Sequence, residues 1–194
     1  GVHASGQVCA VRVSRVPDDL GKLRKSLNAL TPDDVSVREV AVVDDAFDPR
    51  RHARSRVYEY RLWTAPSPSP FWRRWAWHHP QPLDRAAMAA AAAALVGEHD
   101  FAAFCGADPS ATDRTTIRRI IASDVQVEAP LLVYRVEATA FLKHMVRNIV
   151  GTLVEVGLGD RRADDMPRLL AAADRRLAGA TAPAHGLTLV AVRY

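Results

Sequence analysis

The stretch 144–157 places the tightest limit on how this chain can fold. Met145, Ile149, Val150, Leu153, Val154 and Val156 make it apolar around most of a helical circumference. Such a helix must be enclosed by other elements. His144, Arg147, Asn148, Gly151 and Glu155 recur at i, i+3, i+4, i+7 and i+11 and draw one narrow polar stripe along it. An arginine on a buried helix needs a partner, because an unpaired charge removed from water is very costly. The pattern leaves two readings open. Arg147 forms a structural pair with Glu155 or a sheet carboxylate, or it holds a catalytic carboxylate or a phosphate.

The rest of the chain supplies what would enclose it. Alternating apolar residues predict strands over 7–13, 35–43, 56–64, 115–128, 131–140 and 187–192. Tyr134, Val136, Ala138 and Ala140 share one face of the 131–140 strand, and Arg135, Glu137 and Thr139 the other. Leu20, Leu23, Leu27 and Leu30 predict an amphipathic helix with acidic residues at its start. Asp84 opens another that runs through Val96 to Gly97, and a third covers 164–173. Residues 65–70, with Pro66, Pro68 and Pro70, can only be an extended loop. It leads into a segment crowded with Trp72, Trp75 and Trp77. Adjacent antiparallel strands mixed with helices make the expected fold α+β, a mainly antiparallel mixed sheet flanked by helices.

Charge points to a partner class. The 194 residues carry 26 Lys and Arg against 22 Asp and Glu, and only Lys22, Lys25 and Lys143 are lysine, which leaves 23 arginines. Guanidinium forks suit phosphates and stack on bases, which favours nucleic acid, although GC-rich coding raises Arg and Ala together and fits the run Ala89 to Ala94. Arg56, Tyr58 and Tyr60 share a strand face just after Arg50, Arg51 and Arg54, a basic and aromatic combination that can also be half-buried packing. Cys9 and Cys105 are too few for a disulfide scaffold or a four-cysteine zinc site. His78, His79 and His99 lack metal-ligand spacing, and neither a metal nor a cofactor is expected. Cys9, inside an apolar run, reads as packing. No apolar run approaches the roughly 20 residues of a membrane span, and the cytoplasm is the expected location.

Several motifs converge on one family. Phe141-Leu142-Lys143-His144-Met145-Val146-Arg147-Asn148-Ile149-Val150-Gly151-Thr152-Leu153 resembles the signature helix of the tRNA pseudouridine synthase A family. Gly1-Val2-His3-Ala4-Ser5-Gly6-Gln7-Val8 is similar to the segment that follows the family's catalytic Arg-Thr-Asp-Ala. Leu27-Asn28-Ala29-Leu30, Phe47-Asp48-Pro49-Arg50, Arg56-Val57-Tyr58-Glu59-Tyr60, Glu98-His99-Asp100-Phe101 and Ala182-Pro183-Ala184-His185-Gly186-Leu187 match in family order. The resemblance implies isomerisation of uridine to pseudouridine at positions 38–40 of the tRNA anticodon arm, by a homodimer without cofactor. An aspartate attacks the uridine, the glycosidic bond breaks, and the base rotates before rejoining through carbon. It further implies that Tyr58 contacts the target base and that Arg147 pairs with the aspartate. His3 and Gln7 would lie beside the nucleophile loop, Arg50, Arg54 and Arg56 would contact RNA, and Asn148 would be a substrate-binding neighbour.

The same resemblance puts the nucleophilic aspartate two residues before Gly1. The chain opens without methionine and is expected to be cut just past that residue, so no turnover is expected of these 194 residues. Residues 1–45 would be the tail of an N-terminal lobe, 46–180 a C-terminal lobe, and 181–194 a closing strand. Phe104-Cys105-Gly106-Ala107-Asp108 and the following Pro109 to Arg114 depart from the family pattern, which leaves that loop's RNA contacts open. The alternatives are a non-catalytic RNA-binding remnant and a structural dimerisation module.

Overall fold

The computed structural model describes residues 1–107 and 115–194. The atypical loop singled out above therefore lies outside the described residues from Asp108 to Arg114. The chain forms two compact units, one of residues 1–7 with 53–194 and the other of residues 8–52.

The larger unit is built on a seven-stranded mixed sheet, mainly antiparallel, as the alternation predicts. Its strands are β1 (His3–Ala4), β2 (Ser55–Trp63), β3 (Trp77–His78), β4 (Gly97–Asp100), β5 (Ile117–Glu128), β6 (Leu131–Ala138) and β7 (Leu187–Arg193). They run in the order β1-β7-β2-β6-β5-β4, with β3 also on β2. β1 lies parallel to β7, and His3 sits opposite Thr188. β7 bulges between its pairings with Val57 and Tyr58. Gly6 passes so close that a Cβ there would sit 2.1 Å from the Val190 carbonyl oxygen, so only glycine fits.

Period-two alternation gives this sheet two different faces. Tyr58, Tyr60, Leu62, Leu132, Tyr134, Val136 and Ala138 belong to or pack on the main core. Over them lie α2 (Arg85–Ala93), α3 (Met145–Leu158) and α4 (Met166–Ala172). Asp84 caps α2, its carboxylate accepting from the Ala87 amide at 2.9 Å. On α3, Ile149, Val150 and Leu153 are fully buried, which is the enclosure its composition demanded. The opposite face carries Glu59, Arg61, Arg135 and Glu137, with a small apolar cluster of Ala76, Leu131 and Val133 beneath Trp63 and Trp72.

The smaller unit holds α1 (Leu20–Leu30), found where the leucine spacing predicts it and capped by Asp19. The Asn28 side chain bonds the Val37 backbone twice, at 2.7 and 2.9 Å. Two expectations fail in this part of the chain. Residues 7–13 and 35–43 form no strand. Val11, Val13, Val35, Val42 and Val43 are exposed, and alternation alone cannot make a ladder without a sheet to join. Cys9 is exposed rather than packed for the same reason. β4 runs the other way: it was not expected, because Glu98-His99-Asp100 has no apolar alternation, and it forms as an edge strand on residues 117–120 of β5.

Candidate active site

The polar stripe of α3 is the seat of a backbone strap formed by residues 178–183. At Gly151 a Cβ would sit 1.7 Å from the Ala180 carbonyl oxygen, so the strap touches the helix backbone itself. The Gly179 amide donates to Thr152 Oγ1 at 2.9 Å. Asn148 is fully buried and serves both sides of its amide: Nδ2 donates to the Phe104 carbonyl at 2.8 Å, and Oδ1 accepts from Thr181 Oγ1 at 2.6 Å and from Arg175 at 3.1 Å. Asn148 and Gly151 are thus both used to seat neighbouring chain. Asn148 faces protein on all sides, and the structure places it as an anchor of the strap.

Arg147 lies at the strap's far end. Its Nε donates to the Ala182 carbonyl at 2.6 Å, and its own carbonyl accepts from the Ala182 amide at 3.1 Å. Glu155, the sequence's candidate partner, pairs instead with Arg161 at 3.0 Å. Among the described residues Arg147 has no carboxylate partner and no further side-chain hydrogen bond, although it is only half-exposed. A half-buried guanidinium clamped at Nε and open at its two terminal nitrogens is a fork ready for an anion. It sits beside the Tyr60 hydroxyl, which donates to the Pro183 carbonyl at 2.8 Å. Burial pushes the Tyr60 pKa far above its ordinary value, with Arg147 drawing it back only in part.

Tyr58 is half-buried one turn of the pleat away. Its ring meets Phe141 edge-on at 5.0 Å. Burial raises its pKa, and the Arg56 charge opposes that rise. Arg56 reaches across the end of β6 to the Thr139 carbonyl at 2.7 Å, and the Arg54 amide donates to the Arg193 carbonyl at 2.8 Å. Arg54, Arg56 and Tyr58 therefore cluster at the start of β2. His3 lies against Trp75 with the rings tilted at 39° and their centroids 4.2 Å apart, and it donates from Nε2 to the Arg74 carbonyl at 2.7 Å. Gln7 is exposed just beyond β1. Gly1 rests against Ala184, so closely that a Cβ on Gly1 would lie 3.3 Å from that of Ala184. Arg50 belongs to the smaller unit, in a turn where the Asp48 carboxylate accepts from the amides of Arg50 and Arg51 at 2.7 and 2.9 Å.

His144 precedes α3 with φ 60°. Burial and then the charges of Arg147, Lys143 and Arg175 hold its pKa below the ordinary value. Sequence reasoning put Tyr60 on a face with Arg56 and Tyr58 but missed its link to the strap, and it missed Arg175 and Thr181 altogether. The available signal was Gly151 in the polar stripe, facing the small-residue run 178–182. Among the described residues no group of three or more His, Cys, Asp or Glu is placed to hold a metal ion, and no helix is long and apolar enough to cross a membrane.

Comparison with known proteins shows the family. A family model described as tRNA pseudouridine synthase matches residues 91–194, which include α3, the strap and β7. Over its whole length the chain is 41% identical to a tRNA pseudouridine synthase A of Geotalea uraniireducens, of which it covers 78%. It is 43% identical to that of Geobacillus kaustophilus, covering 74%, and 45% identical to that of Chloroflexus aurantiacus, covering 70%. The chain belongs to the tRNA pseudouridine synthase family.

Proposed function

We propose that this chain serves the conversion of uridine to pseudouridine in the anticodon arm of tRNA, at positions 38–40, without metal or cofactor. The observation that carries the reading is the open guanidinium fork of Arg147, half-buried and tied to Ala182, on a chain 41–45% identical over its full length to proteins named for this reaction. The reaction moves no atoms in or out. The bond from the ribose to the uracil nitrogen breaks, the base turns, and a bond from the ribose to carbon forms, with one proton leaving that carbon and one returning to nitrogen.

In this reading an aspartate supplies the nucleophile and Arg147 holds its carboxylate, keeping it ionised by charge pairing. The family resemblance puts that aspartate two positions ahead of Gly1. Gly1 packs on Ala184, two residues from the carbonyl that holds Arg147, so a carboxylate carried just ahead of Gly1 would be within reach of the fork. Tyr58 would contact the target base once it leaves its stack, and Arg50, Arg54 and Arg56 would contact the backbone. Residues 1–45 are read as continuing an N-terminal lobe, 46–180 as the C-terminal lobe and 181–194 as the strand that closes it. The working form is a cytoplasmic homodimer.

Two measurements test this. An unmodified anticodon stem-loop should bind the 194-residue chain at low salt, with affinity falling steeply as salt rises; no binding at low salt would refute the RNA reading. In a chain that carries the nucleophilic aspartate, changing it to asparagine should abolish pseudouridine formation, and turnover by that variant would overturn the role given to it.

A further inference from the structure

Apart from Trp72, which packs on the small outer-face cluster, the turn Phe71-Trp72-Arg73-Arg74-Trp75 is used by neither the core nor the proposed reaction. Its frame is rigid. Trp72 stacks on Trp63 at 6.5 Å, and Trp63 Nε1 donates to the Ser67 carbonyl at 2.8 Å. The Arg73 amide bonds to Ser69, and those of Trp75 and Ala76 to Trp72, at 2.8–3.0 Å. Ala76, directly after the turn, is buried.

What this frame presents is unusual for the molecule. Phe71 is 85% exposed and Trp75 47% exposed, and between them Arg73 and Arg74 are both exposed. Neither guanidinium has an ion pair or hydrogen bond among the described residues. Four other exposed arginines are occupied, Arg15 by Asp18, Arg162 by Asp164, Arg168 by Asp165 and Arg176 by Asp174, and the open ones, Arg54, Arg85 and Arg119, stand singly in sequence rather than as an adjacent pair between exposed rings. Two adjacent open forks bracketed by exposed rings match a polyanion whose bases can stack.

The turn is also joined to the site. His3 spans from Trp75 and the Arg74 carbonyl to β1, whose neighbour Gly1 rests on Ala184 at the end of the strap that clamps Arg147. We infer that the Phe71–Trp75 turn is an RNA-binding rim of the site, in which Arg73 and Arg74 contact phosphates and Phe71 and Trp75 stack unpaired bases next to the target nucleotide. The inference rests on the tRNA reading above, and it names a surface that reading does not require.

The test is a salt titration of labelled, unmodified anticodon stem-loop against the 194-residue chain, its Arg73→Gln/Arg74→Gln double variant and Phe71→Ala. All three side chains are exposed, so thermal unfolding should match wild type in each variant. The double variant should bind roughly tenfold more weakly at moderate salt, and its log–log salt slope should be shallower by about 1.4, or about 0.7 for each phosphate lost from a single strand. Phe71→Ala should weaken binding about fivefold or more with the slope unchanged. Wild-type slope and affinity in both variants would sink this inference and leave the tRNA reading standing. No binding by wild type would sink that reading and this one with it. If Phe71→Ala changes only self-association, the turn is a protein contact and the inference is wrong.

Discussion

The two faces of the sheet use arginine in opposite ways. On the outer face Glu59 takes Arg61 at 2.6 Å together with Arg135, and Glu137 takes Arg193 at 3.0 Å together with the Ser55 hydroxyl. Each of these cations is answered by a carboxylate, on its own strand for Arg61, on the adjacent strand for Arg135, and two strands away across β2 for Arg193. On the inner face Arg147 is answered by a carbonyl alone, and beyond the edge of β2 Arg73 and Arg74 are answered by nothing in the described chain. An excess of arginine is therefore a poor guide to where RNA binds. Arginines that the fold has left open are the informative ones.

The sharpest way to break this contrast is Arg147→Ala, made in a longer chain that carries the family's aspartate. Turnover should fall about a thousandfold while the Kd for tRNA stays within about threefold, because the fork acts on the nucleophile's charge. Near-normal rates would place Arg147 with the structural arginines of the outer face. Next in size is Gly151→Ala, which tests whether the strap clamps Arg147 at all. A methyl group 1.7 Å from the Ala180 oxygen must lift the strap, at a cost of about 3 kcal/mol in urea unfolding. An unchanged midpoint would mean the strap is not seated on α3.

Arg147 also shows how far the sequence could be read. The buried α3, its polar stripe and the two faces of β6 are all consequences of local periodicity, and the structure has them where the pattern puts them. The stripe's purpose was not legible, because its partner is backbone some 30 residues downstream and backbone leaves no mark in composition. Only the glycine at 151 hinted at a close approach. Residues 7–13 and 35–43 fail for a different reason: their alternation is genuine, but a strand is a property of a pair. The ion pairs of the outer face were equally hidden, since register decides which charges meet across strands.

Glu59→Gln probes that outer face from the other side. Glu59 is only 14% exposed and holds two guanidiniums, so losing its charge should cost about 2 kcal/mol of stability. Affinity for the anticodon stem-loop should stay within about twofold. A tenfold gain would mean that carboxylates alone keep the outer face from binding RNA, and the contrast between the faces would collapse into one of pairing.

The smallest effect is a pH dependence carried by His144. Burial and its cationic neighbours hold its pKa below 6.5 in the folded chain, so the unfolded chain takes up a proton first as pH falls. The contribution is absent well above pH 6.5 and becomes a loss of stability as pH drops through 6.5 toward the lower folded value. Carboxylates such as Asp174, held at about 2 by Arg176, act in the same direction but only in a window below about 4. The two can therefore be separated by urea unfolding at pH 7.5, 6.5 and 5.5. His144→Asn is the appropriate variant, because asparagine tolerates the φ of 60° that an alanine would strain. Between pH 7.5 and 5.5 the wild-type chain should lose more stability than the variant, the other histidines cancelling between them. Parallel curves would show that neither burial nor the nearby cations depress the imidazole at the head of α3. With stem-loop RNA bound the difference should shrink, since phosphates near Arg147 and Lys143 would offset the charges that depress the imidazole; an undiminished difference would place the RNA away from that end of the helix.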